Sequence, residues 1–185
     1  MKNKYILRWC SKKEFDSVYE FGFKLVGDSH IGLNTLKKRY KINQEIVRGI
    51  FDQDNNLFGY YIVYYLNKEA IDDINACKII NGRGLTDDKF SSVASEASGL
   101  YIGMLGVVGF KARLYLIKDL LEVINDLKIY GCLSSVYTRG ATTKGKRIIN
   151  DFGFEFIGND SEISFLRFDK ESSKNKFLKH LQSSL

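Results

Sequence analysis

The sequence predicts a single α/β domain (α+β in its segregation of elements), built on a mixed, mostly antiparallel sheet flanked by helices. Three observations carry that expectation. The chain has 185 residues, 44% of them hydrophobic and 27% charged, which suits one domain with a packed core. Residues 46–66 read as a β-hairpin rich in aromatic and β-branched side chains. The apolar run 99–108 then passes directly into the clearest helical repeat of the chain, 111–127.

The elements follow in order. There is no proline, so Gly, Asn, Asp and Ser punctuate the chain. Residues 5–9 read as a short strand. Ser11, with Glu14 three residues on, is a capping box, and Phe15, Val18, Tyr19 and Gly22 continue at helical spacing to a stop at 27–29. Asn34 is placed to cap a second helix through Leu36 and Tyr40. Strands at 46–51 and 57–66 flank the polar turn 52–56. Tyrosines left exposed on the second strand would offer a homodimer surface. Asn67 opens a short helical piece through Ile74, and 81–98 is a loop with some local structure. The strand 99–108 alternates poorly, as expected of one covered on both faces. In 111–127, Ala112, Leu116, Leu120, Val123 and Leu127 recur every three or four residues. A strand at 129–137 follows, then a helix opened by Thr142 or Thr143 and closed by Gly153. A hairpin of 154–157 and 163–168 completes the domain, and 169–185 is a polar, basic tail.

Composition excludes several classes. The 13 Phe and 11 Tyr argue against disorder, and no apolar stretch has the length of a membrane span. No signal core follows the basic N-terminus, so a cytoplasmic protein is expected. Cys10, Cys77 and Cys132 are too scattered for a disulfide framework and read as small buried residues. His30 and His180 stand alone, so no metal is expected. The net charge of +6 allows an anionic partner, and Lys37, Lys38, Arg39 and Lys41 form one of its denser groups.

Two local patterns go further. One is the strand–glycine–helix passage Tyr101-Ile102-Gly103-Met104-Leu105-Gly106-Val107-Val108-Gly109-Phe110-Lys111-Ala112-Arg113. The other is Thr142 to Ile157, a helix that ends in Gly153-Phe154 before a strand. In this order they resemble the GNAT family, the acetyl-CoA-dependent N-acetyltransferases, roughly from Lys4 to Phe168, within an expected domain of residues 1–168. The resemblance implies that the helix after the central strand receives the pyrophosphate of acetyl-CoA on free backbone N–H groups. It places the cofactor-binding residues at Val107, Val108, Gly109, Phe110, Lys111, Ala112 and Arg113, with Asn150 on the later helix. A strand amide at Val107 or Val108 would polarise the thioester oxygen.

The sequence departs from the family pattern at two places. The two loop glycines fall on Lys111 and Arg113, whose cations oppose the helix dipole by up to about 1 kcal/mol unless an anion is near. The tyrosine that protonates the leaving thiolate in many members falls on Ile149. Asn150 or Tyr137 stand as substitutes, and Glu96 is the candidate base that frees the amine. The resemblance therefore implies an N-acyltransferase moving an acetyl group from acetyl-CoA to a small-molecule or protein amine. A charged tRNA is an acceptor suited to the Lys37–Lys41 group. A non-catalytic binding module on the same fold is the second reading, and a nucleic-acid-binding protein the third, since no recognition motif accompanies the charge.

Overall fold

The computed structural model describes residues 5–27, 31–129, 135–140, 142–151, 154–157 and 162–167. The strand β1 (Ile6–Trp9) leads into the capping box. Ser11 donates from its backbone N–H and from Oγ to Glu14 Oε2, at 2.8 and 2.9 Å. One 3-10 turn later, α1 (Phe15–Val26) begins, and α2 (Leu33–Tyr40) follows. The hairpin is β2 (Val47–Phe51) and β3 (Leu57–Leu66), and Asn67 caps α3 (Lys68–Asn75) by accepting the Ala70 N–H at 2.9 Å. Three 3-10 turns occupy the irregular loop before β4 (Gly99–Val107), which feeds α4 (Phe110–Ile129). The remaining elements are β5 (Ser135–Arg139), α5 (Thr143–Asp151), β6 (Glu155–Phe156) and β7 (Ile163–Arg167).

The strands form one seven-stranded sheet in the order β1-β2-β3-β4-β5-β7-β6. Only β4 and β5 are registered as parallel; β1/β2, β2/β3, β5/β7 and β6/β7 are antiparallel. Two bonds show that β3 and β4 are antiparallel as well, Val108 N–H to Phe58 O and Ser98 N–H to Leu66 O, each 2.8 Å. Between those bonds β3 advances from 58 to 66 and β4 from 98 to 108. The pairing of the two strands is therefore shifted by two residues between those bonds.

The chain forms two compact units, one of Met1–Val63 with Met104–Leu120 and the other of Tyr64–Gly103 with Leu121–Leu185. In the first, Phe15, Val18 and Leu36 are buried, as are Val47, Ile50, Tyr60 and Tyr61. Phe15 meets Tyr40 edge-on at 4.9 Å and Trp9 meets Tyr61 at 6.4 Å, geometries that suit the ring quadrupoles. Asp119, in the apolar stripe of α4, is buried and takes a bidentate pair from Arg48 and the Tyr61 hydroxyl at 2.7 Å. In the second unit, Lys89 is buried between Glu69 at 2.5 Å and Asp73 at 2.6 Å. Those carboxylates hold its ammonium above the ordinary lysine range.

Several expectations are corrected. Gly32, with an extended backbone, precedes α2, so Asn34 lies inside the helix rather than at its cap. Tyr60, Tyr61, Tyr64 and Tyr65 are all buried within the chain, so β3 leaves no tyrosine face for a second copy. Buried from Gly99 to Tyr101, β4 alternates between half-buried and exposed residues from Ile102 to Leu105, so its two faces are not equally covered there. The strand expected at 129–137 is observed at Ser135–Arg139, because α4 runs on to Ile129. Cys10 is buried as expected, but Cys77 is exposed, at a positive φ of 56°. Cys132, His30, His180, Gly153 and the tail 169–185 lie outside the described residues. Among the described residues no helix is long and apolar enough to cross a membrane, and no three His, Cys, Asp or Glu side chains are grouped to hold a metal ion.

Candidate active site

The site is built from the passage between β4 and α4. Strand pairing ends at Val108, whose N–H is taken by Phe58 O. Gly109 then turns the chain with φ +89°, a region that side chains rarely adopt. A Cβ on Gly109 would meet nothing within 4 Å, so backbone conformation alone demands glycine, and the space over the turn is open. The first helical bond is Arg113 N–H to Gly109 O at 3.1 Å. The N–H groups of Phe110, Lys111 and Ala112 precede it and have no acceptor within the helix. With the positive end of the helix dipole behind them, they form a receptor for an anion.

The side chains divide by face. Ala112 is fully buried, so only its amide faces the turn. Lys111 and Arg113 are exposed, and neither forms an ion pair among the described residues. Phe110 is 70% exposed, an unusual position for a phenylalanine, and Val108 beside it is also open. Val107 is half-buried at the end of β4. Because successive strand amides alternate in direction, the Val108 bond to β3 turns the Val107 N–H away from β3. That leaves Val107, of the two valines, with an amide free of the Phe58 bond. Gly59 permits this close approach: a Cβ there would stand 2.7 Å from Gly106 O and from Val107 Cα.

In the second unit, β4 and β5 are registered only from Gly99/Ser135 to Ile102/Thr138. At the last rung Thr138 Oγ1 donates to Ile102 O at 3.0 Å. Beyond it β4 continues to Val107, whereas β5 ends at Arg139. Tyr137 is 1% exposed, and its hydroxyl reaches Asn75 Oδ1 on α3 at 3.5 Å. Glu96 is exposed in a 3-10 turn ahead of β4, at the opposite end of that strand from Lys111. On α5, Ile149 is buried and Asn150 exposed. Glu96 and Asn150 form no side-chain hydrogen bond or ion pair among the described residues.

Solved structures match the fold of this chain. Ard1 from Thermoplasma volcanium aligns over 91% of this chain and all of its own, with a TM-score of 0.57 and 11% identity. The chain has the GNAT fold. A GNAT-family acetyltransferase from Listeria monocytogenes gives a TM-score of 0.53 at 11% identity, over 87% of this chain and 92% of its own. A mutant of the toxin AtaT, bound to the C-terminus of the antitoxin AtaR and to acetyl-CoA, gives 0.54 at 12% identity, over 89% and 94%. No protein-family model matches the sequence, and neither does any curated protein. At these identities the GNAT likeness is one of fold.

Within that fold the site residues from Val107 to Arg113 form one continuous turn. Tyr137 and Glu96 belong to other elements, Tyr137 in the core and Glu96 at the surface. Sequence reasoning missed Gly59, whose signal was a glycine inside a strongly β-favouring strand. It also missed Asp119, which stands in the apolar stripe of α4. The basic group near α2 is less of a patch than it reads. Arg39 is buried, and Lys37 pairs with Asp16 at 3.1 Å.

Proposed function

We propose that the protein is an N-acyltransferase that moves an acetyl group from acetyl-CoA to a primary amine. The observation that carries this reading is the open N-terminal turn of α4, with three N–H groups lacking helical acceptors behind Gly109, in a chain of the GNAT fold. The amides of Phe110, Lys111 and Ala112 receive the pyrophosphate. The exposed side chains of Lys111 and Arg113 supply charge where the family usually relies on glycine backbone. Their dipole conflict is then relieved by the anion itself.

In this reading the Val107 N–H polarises the thioester oxygen as the amine nitrogen attacks the carbonyl carbon. The carbon–sulfur bond breaks and CoA leaves as the thiolate. Holding amine and thioester together supplies much of the rate, since proximity and orientation alone contribute up to about 7–11 kcal/mol. Glu96, the base suggested by the sequence, stands at the far end of β4 from the Val107 amide, so in this reading the amine proton passes to water or to a group supplied with the acceptor. The thiolate takes its proton from a donor other than a tyrosine on α5, because Ile149 holds that place. Tyr137, a buried phenol, and Asn150, an exposed amide, are the two candidates for contacting the thiolate.

A second reading keeps the fold as a binding module without catalysis, and the buried Ile149 favours it. Calorimetric titration of acetyl-CoA and CoA, beside Lys111→Glu/Arg113→Glu, tests both, followed by thiol release with a panel of amines. Micromolar binding that is lost in the variant, with thiol release, is the expected result. Binding without release supports the module. No binding to either ligand overturns the acyltransferase reading.

A further inference from the structure

The second unit holds a cavity of about 210 Å³ between the end of β5, α5 and the β6–β7 hairpin, lined by Arg139, Lys146, Ile149, Phe156, Glu162 and Ser164. Ser164 stands mid-strand on β7, opposite Thr138 on β5 and Phe156 on β6. Its Oγ is buried, the residue being 1% exposed, and has no hydrogen-bond partner. Buried hydroxyls are ordinarily satisfied, so this one invites a partner from the cavity. The Thr138 hydroxyl opposite it donates to Ile102 O.

The charges around the cavity define what fits. Arg139 Nε pairs with Glu162 Oε2 at 2.9 Å, so one guanidinium edge is committed. Lys146 forms no ion pair among the described residues. Two cations and one carboxylate leave a net charge of +1, which suits a monoanion, while Glu162 opposes a second negative charge. Ile149, itself buried, and Phe156 give the cavity an apolar wall. Its volume is that of several waters at about 30 Å³ each, too large for one bridging water and sufficient for a small organic acid.

We propose that this cavity binds a small monocarboxylate with an apolar body. Ser164 Oγ–H and the Lys146 ammonium take the carboxylate, and Ile149 and Phe156 pack the body. None of its residues belongs to the α4 turn, and the proposal does not require acetyl-CoA to bind there, although Ile149 stands where the acetyl-CoA reading expects the tyrosine that protonates the thiolate.

The test is a titration of benzoate into the full 15N-labelled chain, read by amide chemical shifts, beside benzamide and inorganic phosphate. Benzoate is expected to saturate with a Kd of about 1 mM, typical of a fragment of that size, moving the amides of Ser164 and Ile149. Benzamide and phosphate are expected to bind at least about tenfold more weakly, since each lacks either the charge or the apolar body. Ser164→Ala should weaken benzoate about tenfold, the effect of losing a hydrogen bond to a charged group. Lys146→Gln, at an exposed side chain that leaves the fold intact, should weaken it by a similar factor. Benzoate shifts absent from these amides, benzamide or phosphate binding as tightly, or benzoate binding unchanged in Lys146→Gln would each overturn the proposal.

Discussion

The position of α4 depends on one buried carboxylate, so replacing it is the sharpest structural perturbation. Asp119 is 6% exposed and accepts Arg48 Nη2 at 2.8 Å, Arg48 Nε at 3.0 Å and the hydroxyl of fully buried Tyr61 at 2.7 Å. Asp119→Ala leaves the Arg48 guanidinium without its Asp119 counter-charge and removes the Asp119 acceptor of the Tyr61 hydroxyl. Breaking a buried pair from one side costs about 3–5 kcal/mol. Tyr61→Phe removes only one hydrogen bond to a charged group, about 1.5–3 kcal/mol. Replacing both charges with apolar residues, Arg48→Met with Asp119→Leu, should cost far less than Asp119→Ala alone, because no uncompensated charge remains. Urea unfolding followed by circular dichroism measures all three against wild type. An Asp119→Ala cost below about 1 kcal/mol, or a double variant no better than the single, would refute the reasoning that this pair is desolvated and cooperative.

Further outcomes follow from other contacts. Glu14, bonded first by Arg8 and also by Ser11, has its carboxyl lowered from 4.5 to about 2. A lowered carboxylate contributes stability that is full above pH 4.5 and lost as pH falls towards 2. Glu14→Gln should therefore destabilise by about 1–2 kcal/mol at pH 7 after allowance for partial exposure, and the gap to wild type should close between pH 4.5 and 2 in acid titrations of stability. Gly59→Ala drives a Cβ to 2.7 Å from Gly106 O and Val107 Cα. Backbone must move, so a loss of about 2–3 kcal/mol is expected in thermal unfolding, together with weaker acetyl-CoA binding. Gly109→Ala meets open space but an unfavourable φ of 89°, so it should cost about 1–2 kcal/mol through strain alone. A much larger loss measured in the same urea series would mean that hidden packing surrounds the turn.

Local chemistry made much of this fold legible in the sequence. The Ser11–Glu14 box, the Asn67 cap, the hairpin and the stripe of α4 are each specified by residues a few positions apart, and each formed where expected. What escaped was decided by partners distant in the chain. Asp119 interrupts the apolar stripe of α4, and nothing near it in sequence names its partner, Arg48, seventy-one positions away. The β3 tyrosines read as half-exposed until β2 and β4 flank the strand on both edges and helices cover its faces. The α4 turn was legible as an anion receptor from strand, glycine and helix alone. Which valine amide is free was not, because it depends on the Val108 bond to Phe58. Ser164 left no sequence signal at all: a serine in a strand is ordinary until its burial is known.

The measurement that tests the central claim most directly is a titration of CoA into the 15N-labelled chain, following the backbone amides at the start of α4. The Phe110, Lys111 and Ala112 amides are expected to shift together and saturably. The Val108 amide, already bonded to Phe58 O, should move least within the turn. Lys111→Glu/Arg113→Glu should abolish those shifts. Saturable shifts that leave these three amides in place and centre on another element would contradict the claim that the N-terminus of α4 receives the pyrophosphate.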